Sequence, residues 1–291
     1  MQLSKVLIVC KRSTYSVNKA RLNRDRQSLG LIFEKMKLSH HQQIQSLREV
    51  TRELKKFKIK FQLIYRDDLE RFNEIEKKTD LVISIGGDGT FLETTHRLNR
   101  VPILGINADP QRSIGRFMAG TSKEFSMILR QLIQNKISIL KLSRLQLIVN
   151  GQKIHPLVLN DVLIAPSSPA VTARYLIQLN QYGEEQMSSG IWISTAVGST
   201  AAIFSAGGEK MNSLNTKFQF VVREIFKKKF GKRHLLSGIV DSSSRLKITS
   251  FMKNGCLFID GPHNPIPFEW GDKLMVKISS HPIKVAGFKS I

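Results

Sequence analysis

The chain has 291 residues, 41% of them hydrophobic and 23% charged, the proportions of a soluble globular protein with material for one or two cores. Its 45 Lys and Arg against 23 Asp and Glu leave a net charge of +22, a field that draws anions without saying which. Cys10 and Cys256, far apart, exclude a disulfide framework or zinc motif, and no apolar stretch approaches the ~18 residues of a membrane span.

The chain opens on a strand at residues 6–10 rather than a signal peptide, so the expected location is the reducing cytoplasm. Cys10 ends that strand and reads as a buried, inert thiol. Apolar residues then recur at helical spacing from about 22 to 56, with Leu47, Val50 and Leu54 marking the later part. Residues 39–43, with His40 and His41, read as an exposed loop or as the start of a second helix; without an acidic or cysteine partner the histidines read as a solvated pair. A strand at 59–65, a short helix at 67–78 and a β-branched strand at 81–85 follow.

At residue 86 this third strand runs into Gly86-Gly87-Asp88-Gly89-Thr90, with a helix expected over 90–98. Glycines reach backbone angles closed to other residues and let amides approach a ligand. With a helix N-terminus behind them, they make an anion site. Asp88, a carboxylate in a phosphate cradle, points to proton removal from a hydroxyl or to Mg²⁺. The alternative is a plain turn with a capping aspartate. The spacing is neither a Walker loop nor a Rossmann turn. A fourth strand at 101–106 completes an alternation of strands and helices, which predicts a mostly parallel α/β layer to about residue 120.

Beyond 121 the rhythm changes. A helix is expected at 123–134, a hairpin at Asn150-Gly151, and strands at 157–165, 173–179, 191–194, 245–249, 256–259 and 273–278, mainly antiparallel. Residues 212–233 break the pattern. Their basic run, Lys227-Lys228-Lys229 with Lys232-Arg233, reads as a solvated loop or helix end, or as a patch that steers anions. Asn160-Asp161 interrupts an apolar strand, which is costly unless the pair is hydrogen-bonded or used. The stretch from Ser188 to Gly208 joins a strand, a hydroxyl- and glycine-rich turn and a small-residue helix. Such side chains admit a flat ligand, and Ser199 and Thr200 can donate to ribose or phosphate.

The glycine turn resembles the signature of a superfamily containing NAD kinases, 6-phosphofructokinases and lipid kinases. Together with Gly105-Ile106-Asn107 through Phe117, Asn160-Asp161, Ser194-Thr195 through Gly207-Gly208 and Ile259-Asp260-Gly261, the chain resembles the NAD kinase family, closest to NADH kinases of plant type. The resemblance implies a Rossmann-like α/β nucleotide domain (1–120), a β-rich dinucleotide-binding domain (121–291) and an active site between them. It also implies Mg²⁺-dependent transfer of the ATP γ-phosphate to the 2′-hydroxyl of the adenosine ribose of NAD or NADH, by a homodimer or homotetramer with no nucleic-acid or membrane partner. By similarity Asp88 is the base, while Gly86, Gly87, Gly89 and Thr90 hold phosphate. Phe117 walls the adenine, Asn160 and Asp161 hold ribose hydroxyls, and Ser189, Ser199, Thr200, Ala201, Ala202 and Ser205 line the dinucleotide site. No protein side chain is assigned to a metal. Asp161 stands for the family's usual Glu, Ala202 for an aromatic and Ser189 for an Asp. A lipid kinase would account for the glycine turn but not for the second half. A catalytically dead nucleotide sensor or nucleic-acid-binding module would fit the charge but not the two carboxylates.

Overall fold

The computed structural model describes residues 3–290 apart from 25, 73–75 and 227–234. The basic run Lys227-Lys228-Lys229 with Lys232-Arg233 therefore lies outside the described residues. The chain divides into two compact units, Met1–Leu140 with Ile283–Lys289, and Lys141–Pro282 with Ser290–Ile291.

The first unit is built on a sheet whose central strands are apolar on both faces. Strands β1 (Lys5–Cys10), β2 (Lys60–Tyr65), β3 (Leu81–Gly86), β4 (Ile103–Asn107) and β5 (Met118–Thr121) pair in parallel, β1 between β2 and β3, and β4 between β3 and β5. All six residues of β3 are buried, as helix-covered parallel sheets require. The long helix Arg26–Lys56, interrupted at Gly30 (φ +43°), supplies Val50 and Leu54 to the same core. Of the helix expected over 67–78, Arg66–Arg71 form a 3₁₀ helix, Phe72 and Glu76 are helical, and 73–75 lie outside the described residues. Cys10 is buried, and burial pushes its thiol up to about 11, consistent with an inert role. His40 is half-buried rather than solvated, with Nδ1 2.7 Å from Ser13 Oγ and its ring 5.2 Å from that of Tyr15.

The unit boundary differs from the sequence expectation of residue 120. Helix Phe125–Ile133 buries Phe125, Ile128, Leu129 and Leu132 in the core that holds Val6, Ile83 and Leu104. Each such side chain contributes roughly 1.5–3 kcal/mol, which ties the helix to the first unit. The last strand of the described chain, Ile283–Ala286, also returns there, pairing Val285 with Ile103 of β4.

The second unit consists of two antiparallel six-stranded sheets. In strand order, one runs Tyr182–Ser188, Ala173–Leu179, Leu246–Ser250, Lys273–Ile278, Leu145–Val149 and Gln152–Lys153. The other runs Ser237–Val240, Phe218–Val222, Ile191–Thr195, Asp161–Pro166, Gly255–Ile259 and Ile266–Pro267. Both contribute to one core, including Leu147, Tyr175, Ile193, Phe220 and Val276. The expected hairpin is present: Asn150 (φ +50°) and Gly151 (φ +84°) join Val149 to its partner Gln152, the positive φ pair of a tight primed turn. Residues 218–222, expected to be irregular, form a buried strand paired with 191–195. Among the described residues no helix is long and apolar enough to cross a membrane.

Candidate active site

In the first unit, β3 ends at Gly86 and helix Asp88–Thr95 starts two residues later, with Gly87 as its N-cap (φ −109°). The helix thus begins before the expected residue 90, and Asp88 occupies its first position, where the macrodipole favours an anion. None of Gly86, Gly87 and Gly89 has a positive φ, so special backbone angles are not why glycine stands there. Space is the reason at two of them. A Cβ on Gly86 would lie 2.7 Å from Thr90 Oγ1, and one on Gly87 would lie 2.5 Å from Ser113 Oγ, whereas Gly89 faces open space.

The Asp88 carboxylate is held from the next loop. Its Oδ2 accepts the Arg116 amide and its Oδ1 the Phe117 amide, each at 3.0 Å. Each oxygen keeps a further lone pair. Asp88 and the three glycines line a cavity of about 500 Å³ with Lys11, Asp109 and Arg112 among its other walls. Asp109 Oδ2 accepts Ser39 Oγ at 2.6 Å and Arg112 Nη1 at 2.9 Å. Its Oδ1 is buried with no hydrogen-bond partner among the described residues. Thr90, expected to hold phosphate, and Phe117, expected to wall the adenine, line neither this cavity nor that of the second unit. Thr90 is buried against Gly86, and Phe117 has its ring in the core, 1% exposed and stacked 5.0 Å from Phe91. Only the Phe117 amide serves the site, because the ring is more stable among apolar neighbours.

In the second unit, strand Asp161–Pro166 begins at Asp161 rather than at residue 157. Val162 and Ile164 point into the core while Asp161, Leu163 and Ala165 face a cavity of about 550 Å³, the period-2 alternation of a strand. Register places Trp192 and Phe258 on either side of Leu163. All three line the cavity and give it an apolar floor. Asn160, Ser189, Ala201, Ala202, Arg223 and Asp260 lie on the remaining walls.

The turn ahead of Asp161 is fixed from two directions. The Asp260 carboxylate accepts the amides of Leu159 (2.9 Å), Asn160 (2.7 Å) and Asp161 (3.1 Å). Thr195 Oγ1 donates to Leu159 O at 2.6 Å and accepts the Gly198 amide at 3.1 Å. Gly198 is obligatory, since a Cβ would lie 2.7 Å from Asn160 Cα. The Asp161 carboxyl accepts no hydrogen bond among the described residues. Burial, then the charge of Asp260, raises it to about 7.

The structure therefore brings Asn160, Asp161, Ser189, Ala201 and Ala202 together. It does not bring Ser199 with them: Ser199 is buried and its hydroxyl accepts the Met211 amide at 2.9 Å, a structural bond closing the turn. Thr200 and Ser205 are not on the cavity wall. Trp192, Phe258 and Arg223 were missed, although alternation along 161–165 would have indicated the face on which the first two sit.

The chain matches the ATP-NAD kinase N-terminal domain family over residues 6–137. It is 31% identical over 228 residues to a probable NADH kinase of Oryza sativa subsp. japonica, covering 71% of this chain and 70% of the relative. With the NADH kinase of Arabidopsis thaliana it shares 29% over 247 residues, 77% of this chain and 76% of the relative. Among solved structures it resembles yeast NADH kinase complexed with NADH, at TM-score 0.71 and 18% identity over 98% of this chain and 83% of that one. An NAD kinase from Archaeoglobus fulgidus in complex with ATP gives TM-score 0.68 and 19% identity over 98% and 93%.

Proposed function

The chain belongs to the NAD kinase family and is a phosphotransferase; on that premise we propose that it transfers the γ-phosphate of ATP to the 2′-hydroxyl of the adenosine ribose of NAD or NADH. The observation that carries this reading is Asp88, a carboxylate fixed by two backbone amides within a glycine-walled cavity. Phosphoryl transfer asks the protein chiefly for positioning and charge stabilisation. A carboxylate whose orientation is already set, with lone pairs left over, suits the task of orienting a hydroxyl and taking its proton. Gly86, Gly87 and Gly89 let phosphate approach the amides at the helix start.

Mg²⁺ fits this cavity. It takes one or two carboxylates and completes its shell with water and phosphate. Asp88 and Asp109 line the wall, and the buried Oδ1 of Asp109 is unpartnered among the described residues. When bound, the ion neutralises charge on the β- and γ-phosphates.

The dinucleotide is assigned to the cavity of the second unit. Asn160 and Asp161 hold the ribose hydroxyls, the floor of Leu163, Trp192 and Phe258 takes a ring, and Arg223 offers charge to the diphosphate. Ser189, Ala201 and Ala202 are small and leave the wall open. The net charge of +22 serves to draw these anionic substrates rather than nucleic acid. The protein works in the cytoplasm as a homodimer or homotetramer, a state that light scattering measures directly.

The test is formation of NADP(H) by purified protein with ATP and Mg²⁺, with NAD and NADH supplied separately. Product from either, abolished by omitting the nucleotide triphosphate, is expected. No product from either substrate by an intact, folded protein overturns the reading.

A further inference from the structure

The two ends of the parallel sheet in the first unit carry different charge. Where strands and helices alternate, the carboxyl ends of the strands and the glycine turn share one end, and strand starts and helix ends share the other. At the glycine-turn end, cations are matched by carboxylates. Arg12 pairs with Asp67 at 3.2 Å and Asp68 at 2.8 Å, Arg66 with Glu93 at 3.1 Å, and Arg112 with Asp109 at 2.9 Å.

The opposite end has no such matching. Lys58 and Lys60 stand at the entry to β2, Lys77 and Lys78 before β3, and Arg97 and Arg100 before β4, all of them exposed. Lys55 and Lys56 end the long helix beside them. The helix macrodipole accounts for that last pair, but not for the lysines of the connections. Among the described residues no ion pair reaches any of these cations. The nearby carboxylates are engaged by backbone. Asp80 Oδ2 accepts the Ser4 and Lys5 amides, each at 2.8 Å, and the buried Glu76 accepts the amides of Asn99 and Arg100 at 2.8 and 3.0 Å. Lys5 pairs with Lys60, and Val6 with Leu81, so the strand starts are level. At about 4.8 Å per strand, the charges from β2 to β4 lie within about two Debye lengths, ~8 Å each at physiological salt, and act together.

From this we infer that the strand-start end of the first unit is a docking surface for an anionic lipid bilayer. Clusters of Lys and Arg of this size are the composition that an anionic leaflet attracts. Lysine is a compact point charge on a flexible stem, which suits a fluid array of headgroups. A nucleic acid would gain less, because its bases find no ring to stack on: Phe57 is half-buried with Arg130 5.8 Å over its ring, and Phe72 is buried. A second copy of the chain would set like charges against each other. The attachment is peripheral, since no helix among the described residues is long and apolar enough to cross a membrane. Docked in this way, the first unit keeps its glycine-turn cavity at the end away from the lipid. The inference departs from the expectation of no membrane partner and does not depend on which phosphoryl group is transferred.

The test is co-sedimentation of the full-length protein with vesicles of phosphatidylcholine alone and of phosphatidylcholine mixed equally with phosphatidylserine. Binding to the anionic vesicles only is expected, with its loss at ~1 M salt, where the Debye length falls to about 3 Å. Lys58→Glu, Lys60→Glu, Lys77→Glu and Lys78→Glu combined should weaken partitioning by more than about 100-fold, since each cation near the leaflet contributes about fivefold. The control combines Lys153→Glu, Lys247→Glu, Lys253→Glu and Lys273→Glu, exposed positions of the second unit, and so changes the net charge equally. It should lose less than about tenfold, because only charges within a Debye length or so of the leaflet count. Both variants should keep wild-type kcat and KM, as none of these lysines lines the glycine-turn cavity or that of the second unit. If the Glu variant does not fold, Gln at the same four positions should lose about fivefold per site. Equal binding to neutral vesicles, unchanged binding by the folded variant, or an equal loss in the control overturns the inference. Tighter binding to duplex DNA than to the anionic vesicles also overturns it, and assigns this end to nucleic acid.

Discussion

Asp161→Asn should stabilise the protein while disabling it, and the stabilisation should depend on pH. In the folded chain the Asp161 carboxyl is raised from its ordinary value of 3.8 to about 7, first by burial and then by Asp260. The folded state therefore holds the proton more tightly than the unfolded one. Below about pH 4 both states are protonated and the residue is neutral in its effect. As pH rises through the interval up to 7 the unfolded chain sheds the proton first, so stability falls; above 7 the loss is complete. At about 1.4 kcal/mol per pKa unit, the rise from 3.8 to about 7 makes that loss about 4–5 kcal/mol at pH 8. Asparagine keeps the shape and carries no charge, so it escapes this cost. Thermal unfolding of wild type and variant at pH 4, 6 and 8 provides the assay. The variant's advantage should be small at pH 4 and grow to on the order of 10 °C at pH 8, at about 2–4 °C per kcal/mol. Without substrate, an advantage that stays flat across that range would refute the assignment of a costly buried charge. In parallel, kcat/KM for the dinucleotide should fall by on the order of 10-fold or more, since charge-assisted bonds to ribose hydroxyls contribute about 1.5–3 kcal/mol. Unimpaired turnover would remove Asp161 from the site.

Asp88→Asn should lower kcat by ~10²–10⁴-fold with little change in dinucleotide Kd; because both oxygens already accept amides, its NH₂ will also face one N–H, which unfolding measurements will register as a modest loss. Gly86→Ala should cost about 1–3 kcal/mol, as overpacking does, because the new methyl meets both Oγ1 and Cβ of Thr90, whereas Gly89→Ala, with open space and a helical φ, should be neutral or stabilise by about 0.4–1 kcal/mol; parallel denaturant melts decide. NADH should serve at least as well as NAD⁺, because Ser189 on the wall of the second cavity is neutral and offers no charge to a cationic ring. Ser189→Asp should move the kcat/KM ratio towards NAD⁺ by Coulomb attraction of about 1 kcal/mol, and an unmoved ratio would dispose of the electrostatic explanation.

The sequence by itself determined whatever depends on local pattern. The β-branched run ending in Gly86-Gly87-Asp88-Gly89 reads as a buried strand entering a turn, and it is one; Asn150-Gly151 reads as a tight hairpin, and is. The change from helical to two-residue periodicity likewise announced a second, β-rich unit. Tertiary structure decided the rest, because it depends on partners distant in the chain. The glycines of the turn are required by Thr90 and by Ser113, not by their own backbone angles. Phe117 looked like a wall residue in the motif, but Phe91 provides a stacking partner in the core and leaves only its amide to hold Asp88. Ser199 looked like a ligand donor until Met211 took its hydroxyl. Strand Ile283–Ala286 joins the first sheet because β5 pairs only Gly105, Ile106 and Asn107 of β4 and leaves Ile103 and Leu104 to a partner from the far end of the chain. Asp260 shows the principle most sharply. Nothing in its local sequence marks it as a brace, yet three amides from residues 159–161 converge on its carboxylate, because buried N–H groups must find acceptors wherever the fold provides them.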